Sequence, residues 1–155
     1  MNFLEQLTAE WYQFRGYFVR TNVKFGRRSR GGWKGEMDVV AYNPNTKEFL
    51  HIETSTDASS KTEREARFKK KFNNAKEHYR DMFPFKGQKL RQIAIVGFTN
   101  SRTPLNFGKR VEIISIPDFI RQITKELKKR NPAQDAIPET YPLLRAIQYA
   151  MFYTN

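Results

Sequence analysis

The chain of 155 residues contains no cysteine. That absence removes disulfide frameworks, zinc–thiolate sites and thiol nucleophiles together. No apolar run approaches the roughly 20 residues that a bilayer-spanning helix needs. The opening MNFLEQLTAEW carries acidic residues where a secretory leader has a basic stretch followed by an apolar one. A cytoplasmic protein without a membrane partner is the expectation. Acid is also scarce: 16 Asp and Glu stand against 28 Lys and Arg, a formal net charge of +12. Such a field attracts polyanions, and nucleic acid is the first candidate partner.

What is present argues for a folded chain. Hydrophobic residues make up 39% and aromatics 14%, with thirteen Phe and seven Tyr, so a core can form without covalent staples. One domain over residues 1–155 is expected, with a core over about 3–116 and C-terminal helices over 117–153. Leu4, Leu7, Trp11 and Phe14 recur at helical spacing in residues 2–15, and Gly16 closes the helix. Tyr17 to Phe25 is β-branched and aromatic, a first strand. The segment GRRSRGGWKG, Gly26 to Gly35, has four glycines and no aliphatic side chain, which predicts a flexible basic loop. Two apolar runs, Met37 to Tyr42 and Phe49 to Thr54, flank Asn43-Pro44-Asn45-Thr46 and predict a β-hairpin.

Ser60 to about Phe83 lacks Gly and Pro and repeats Ala66, Phe68, Phe72, Ala75 and Tyr79 at three- and four-residue steps, one long charged helix. RQIAIVGF (Arg91 to Phe98) and VEIISI (Val111 to Ile116) read as buried strands. Pro117 and Asp118 open a helix to about Arg130, and Tyr141 to Tyr153 makes a last one. The order αβββαββαα predicts an α/β fold with a mixed central sheet flanked by helices, because the strands on either side of the long helix pair in parallel through a crossover.

With a turn at residues 43–46, Tyr42 pairs with Lys47, Val40 with Phe49 and Asp38 with His51, so Glu53 falls diagonal to Asp38 on one face. Diagonal neighbours lie roughly 7 to 8 Å apart at Cα, near enough for two acids to lean on one hard cation. Carboxylates of this kind suit Mg²⁺ or Mn²⁺ together with waters and a substrate phosphate. His51 shares that face, as a partner of the acids or as a structural residue, and His78 is expected to face solvent.

At these residues a resemblance enters. The stretch GEMDVVAYNPNTKEFLHIETS resembles the core hairpin of the PD-(D/E)XK nuclease superfamily, in which an Asp precedes a strand ending in Glu-x-Lys. Its layout is similar to the Holliday-junction-resolvase-type members over roughly residues 3–98. The resemblance implies a restriction-endonuclease-like fold and a metal-dependent DNA endonuclease, with Asp38, Glu53 and the Thr54 carbonyl on Mg²⁺ or Mn²⁺. It implies Glu10 as the additional helical acid and Ser29 as a loop serine. Where the family has lysine this chain has Ser55, so Lys61 is the first candidate for the missing cation and Lys34 the second.

Lys24, Arg27, Arg28, Ser29, Arg30, Trp33 and Lys34 form the expected nucleic-acid contact, since guanidinium groups on a loop wrap phosphates and indole stacks on bases. The triplet Lys69 to Lys71 has no acid to offset it and is expected to reach a nucleic-acid backbone. Leu143, Leu144, Ile147, Met151 and Phe152 on the last helix either close the core or form the seam of a homodimer. The loss of the lysine keeps open a catalytically silent DNA-binding protein of the same fold. A third reading, a basic RNA-binding or ribosome-associated protein, gives Asp38 and Glu53 no special place.

Overall fold

The computed structural model describes residues 1–100 and 102–154. Asn2 starts the first helix, α1 (Phe3–Phe14), by accepting hydrogen bonds from the amides of Leu4 and Glu5 while the Glu5 carboxylate returns to the Asn2 amide. This reciprocal cap satisfies amides that a helix end leaves open. α1 buries Leu4, Leu7 and Trp11.

Three antiparallel strands follow, β1 (Phe18–Arg27), β2 (Trp33–Asn43) and β3 (Glu48–Ser55). The helix α2 (Lys61–Lys76) and one further turn, α3 (Tyr79–Met82), cross to β4 (Lys89–Val96), which lies parallel to β3. β5 (Val111–Ser115) is parallel to β4, and α4 (Ile116–Leu127) and α5 (Pro142–Thr154) complete the described chain. The five strands lie in the order β1-β2-β3-β4-β5, an open mixed sheet with helices, as an α/β fold requires.

Strand alternation divides the core. Val39, Ala41, Leu50, Ile52, Ile93 and Ile95 meet α1, α4 and α5 on one face. On the other, Phe68 and Phe72 of α2 pack on Ala94, Val96 and Phe107, while Tyr79 and Phe83 pack on Val40 and Phe49. Arg64, itself buried, ties α2 to the end of β4 through the carbonyls of Gly97 and Phe98. Leu144 is fully buried, and Leu143, Ile147 and Met151 pack against the first core. The last helix therefore closes the core, leaving Phe152 and Tyr153 exposed. Among the described residues no helix is long and apolar enough to cross a membrane.

Three expectations change. The basic segment at residues 26–35 is mostly hairpin: β1 runs through Arg27, which pairs with Trp33, and the reversal takes only residues 28–32. Gly31 and Gly32 adopt φ of 90° and 81° there, so these glycines make a tight turn that lets their neighbours ladder. The helix expected over 60–83 breaks at Glu77 and His78, and the short α3 turns Tyr79 into the core.

The β2–β3 register also moves. Asn43 pairs with Glu48, Tyr42 with Phe49 and Val40 with His51, because the turn occupies residues 44–47 with Lys47 left-handed at φ 59°. The Asn43 carboxamide holds this turn by accepting from the amides of Asn45 and Thr46. A two-residue shift preserves the face of every side chain but changes its partner. One step beyond the Val39–Ile52 pair, Asp38 stands opposite Glu53.

Candidate active site

Asp38 and Glu53 emerge from adjacent strands onto the face covered by α2. The Asp38 Oδ2 accepts from the Thr54 amide at 2.8 Å and from its hydroxyl at 3.4 Å. The Asp38 Oδ1 accepts from the Lys71 ammonium at 3.1 Å. The same ammonium donates to Glu53 Oε2. One cation from α2 thus bridges two carboxylates from two strands.

Lys71 arrives there through the packing of its helix. Arg64, Phe68, Phe72 and Ala75 form the buried stripe of α2, and position 71 lies three residues after Phe68 and four before Ala75, on the border of that stripe. Phe68 stacks on Phe107 with ring centroids 4.3 Å apart, which sets the rotation of the helix about its axis. The lysine stem covers apolar surface while its end reaches the acids.

Behind Glu53 lies a chain of hydrogen bonds. Glu53 Oε1 is 2.7 Å from His51 Nε2, His51 Nδ1 is 2.5 Å from the Tyr79 hydroxyl, and Gln92 Nε2 is 2.8 Å from that hydroxyl oxygen. An amide nitrogen can only donate, so Gln92 donates to the Tyr79 oxygen, which leaves the Tyr79 O–H to turn toward His51 Nδ1, while the ionised Glu53 accepts from His51 Nε2–H. Burial raises the Tyr79 phenol above its ordinary pKa, which keeps it a donor. Phe72 packs edge-on against the His51 ring at 5.0 Å.

These surroundings separate the two acids. Burial raises the Asp38 pKa, and the Glu53 charge raises it further against the pull of Lys71 and the Thr54 amide. Burial works in the same sense on Glu53, which is fully buried, but the hydrogen bonds and electrostatic attraction from His51 and Lys71 together outweigh it and hold this carboxyl below the ordinary Glu value. Burial opposes charge on Lys71 too, yet the two carboxylates hold its pKa above normal.

A cavity of about 270 Å³ opens beside Asp38, lined in part by Lys34, Glu36, Arg67, Lys70 and Lys71. Lys34 reaches it from β2, where its ammonium also pairs with Glu77 at 2.8 Å. Lys24, Arg27, Arg28, Ser29, Arg30 and Trp33 are exposed on β1, β2 and the turn between them. Gly35 is required for this surface: a Cβ there would lie 2.5 Å from Phe25 Cζ, and the Phe25 ring stacks obliquely on His78. His78 is consequently half-buried, not solvent-facing.

Two expected participants lie elsewhere. Glu10 is buried on the opposite face, where its Oε2 accepts from the amides of Leu143 and Leu144 at 2.9 and 3.0 Å. It caps the first turn of α5, a role for which a carboxylate suits the positive end of the helix. Lys61 is the first residue of α2, 3.8 Å from Glu65 Oε1. Ten residues separate it from Lys71, roughly 15 Å along a helix. Ser55 occupies the position two after Glu53 and closes a local turn instead, donating to the Asp57 carboxylate at 3.0 Å.

Among the described residues no group of three or more His, Asp or Glu side chains forms a metal cage. Asp38 and Glu53 nevertheless direct one oxygen each at a single cation, which Lys71 supplies. Two hard oxygens, with a cavity open beside Asp38, fit an ion such as Mg²⁺, which keeps several of its waters and needs few protein ligands. Thr54 meets Asp38 of this pair through its amide and hydroxyl. No family model, curated protein or solved structure matches the chain.

Proposed function

We propose that this chain is a metal-dependent DNA endonuclease with a restriction-endonuclease-like core, in which Lys71 supplies the cation that Ser55 cannot. The observation that carries this reading is the Lys71 ammonium shared between Asp38 and Glu53. A helix reaching over the sheet delivers a positive charge to the two acids of the PD-(D/E)XK-like hairpin, where the strand position offers only a hydroxyl.

In this reading Asp38 and Glu53, with the Thr54 carbonyl, hold Mg²⁺ or Mn²⁺. Such an ion polarises a phosphodiester and lowers the pKa of a bound water. His51 fixes the rotamer and the ionised state of Glu53 by occupying Oε1, which keeps Oε2 for the site. Lys71 is placed to stabilise negative charge on the phosphate undergoing attack. Arg27, Arg28 and Arg30 grip the nucleic-acid backbone, and Trp33 offers an indole face for stacking. The exposed hairpin keeps Arg27, Arg28, Arg30 and Trp33 accessible to a macromolecule.

The same ion pair also favours a second reading. Lys71 already offsets one of the two charges without a metal, as in a catalytically silent DNA-binding protein. Incubation with plasmid, single-stranded and four-way-junction DNA in Mg²⁺, Mn²⁺ or EDTA separates the two. The nuclease cleaves at least one substrate with metal, not in EDTA, and Lys71→Ala lowers the rate by about 10² to 10³. Binding without cleavage of any substrate establishes the silent protein instead.

A further inference from the structure

On the α2 face, beyond the far end of the hydrogen-bond chain from Glu53, a recess of about 660 Å³ is lined by Lys76, Tyr79, Leu90, Gln92, Lys109 and Arg110. It is distinct from the cavity beside Asp38, with which it shares no lining residue. Three cations line it and no carboxylate does. Among the described residues none of the three is paired with an acid. Lys76 donates to the neutral Asn73 carboxamide at 3.2 Å.

Uncompensated positive charge in a concave wall is focused, because the low-dielectric sides concentrate field lines that an open surface would lose to water. The three groups come from two places far apart in the chain, the last turn of α2 and the segment leading into β5, so the meeting of Lys76 with Lys109 and Arg110 is a product of the fold. The floor is already ordered: Tyr79 and Gln92 are buried and hydrogen-bonded to each other. Leu90, which is 43% exposed, adds apolar surface beside the charges. Cations over a polar floor with one apolar wall match a phosphate group carried on a sugar or base.

We propose that this recess is a phosphate-binding site, taking the oxyanion of either a free nucleotide or a nucleic-acid strand. The inference does not rest on the acid pair being catalytic, and its test contains no metal. Inorganic pyrophosphate is titrated into the intact protein in EDTA and binding is followed by calorimetry. The wild-type protein is expected to bind saturably at one site. Lys109→Ala together with Arg110→Ala, both at exposed positions, is expected to weaken binding tenfold or more, while Arg27→Ala, Arg28→Ala and Arg30→Ala together leave it within twofold.

A second titration, with a short DNA duplex present, identifies the source of the phosphate. Competition assigns the recess to a nucleic-acid backbone, simultaneous binding assigns it to a free anion, and both uphold the site. Titration without saturation, unchanged affinity in the Lys109 and Arg110 variant, or an equal loss in the hairpin variant would overturn it, the last because net charge alone would then explain binding. Unfolding profiles matching the wild type confirm that the variants are folded.

Discussion

Replacing Lys71 by Ala isolates what the ammonium contributes to the fold from what it contributes to chemistry. The substitution leaves two carboxylates facing each other, one of them fully buried. Removing one partner of a buried ion pair costs about 3–5 kcal/mol. The Lys71 side chain keeps 36% of its surface, so water screens part of the interaction, and about 2–3 kcal/mol is the expected loss at pH 7. For a domain of this size that lowers Tm by about 4–12 °C.

The deficit should depend on pH with a definite sign. The Asp38 pKa already stands above its ordinary value of 3.8, and loss of Lys71 raises it further. A carboxyl raised on folding binds more protons in the native state, so the variant regains stability as pH falls through that raised value. Wild-type protein behaves oppositely through Glu53, whose pKa is lowered: its contribution is present above the unfolded value of 4.5 and is lost as pH falls through the folded one. The two melting curves should therefore converge on acidification. Mg²⁺ at 100 times its Kd would add about 2.7 kcal/mol to either protein, with a lower Kd in the variant because no ammonium competes. Thermal unfolding at pH 7, pH 5 and pH 4, the last below the unfolded Glu53 value, with and without Mg²⁺, measures all of this. A Lys71→Ala protein melting within 1 °C of wild type at pH 7, and insensitive to Mg²⁺, would refute the reasoning, since the acids would then be solvated and in no need of a cation.

Other expectations concern separate parts of the molecule. Asp38→Asn and Glu53→Gln should each abolish cleavage while DNA binding, measured by fluorescence anisotropy, stays equal or tightens as a negative charge beside phosphate is removed. Glu10→Ala should destabilise by about 0.5–2 kcal/mol through the lost cap of α5, yet leave the cleavage rate per folded molecule unchanged; a large rate loss would return Glu10 to the site. Replacing Arg27, Arg28 and Arg30 by Ala should flatten the salt dependence of duplex binding by about 0.9 in slope for each phosphate that is no longer neutralised. Gly35→Ala should lower Tm because its Cβ meets Phe25, and Phe25→Ala in the same chain should relieve that clash at the expense of packing.

Local rules suffice for the elements and for the facing of the acids. Three strands, a long charged crossing helix and two further strands follow from apolar periodicity, and side chains alternate in strands with a period of two, so Asp38 and Glu53 share a face under the expected register and the observed one alike. The turn at Asn43-Pro44 is also legible, though its left-handed Lys47 is not, since a loop conformation reflects the strands it joins. Which groups meet the acids is another matter. Lys61, Lys69, Lys70 and Lys71 are chemically equivalent in sequence, and only the rotation of α2, set where Phe68 and Phe72 dock on β4 and Phe107, turns Lys71 toward the pair. Glu10 looks like a third acid until α5 packs beside α1 and presents two open amides to it. His51 meets Glu53 and not Asp38 because the strand register sets it opposite Val40, and the break at Glu77 and His78 brings Tyr79 inward to hold the other side of its ring. Strand periodicity acts over a few residues, whereas these interactions join elements up to 134 residues apart, and the packing of one helix against another decides them.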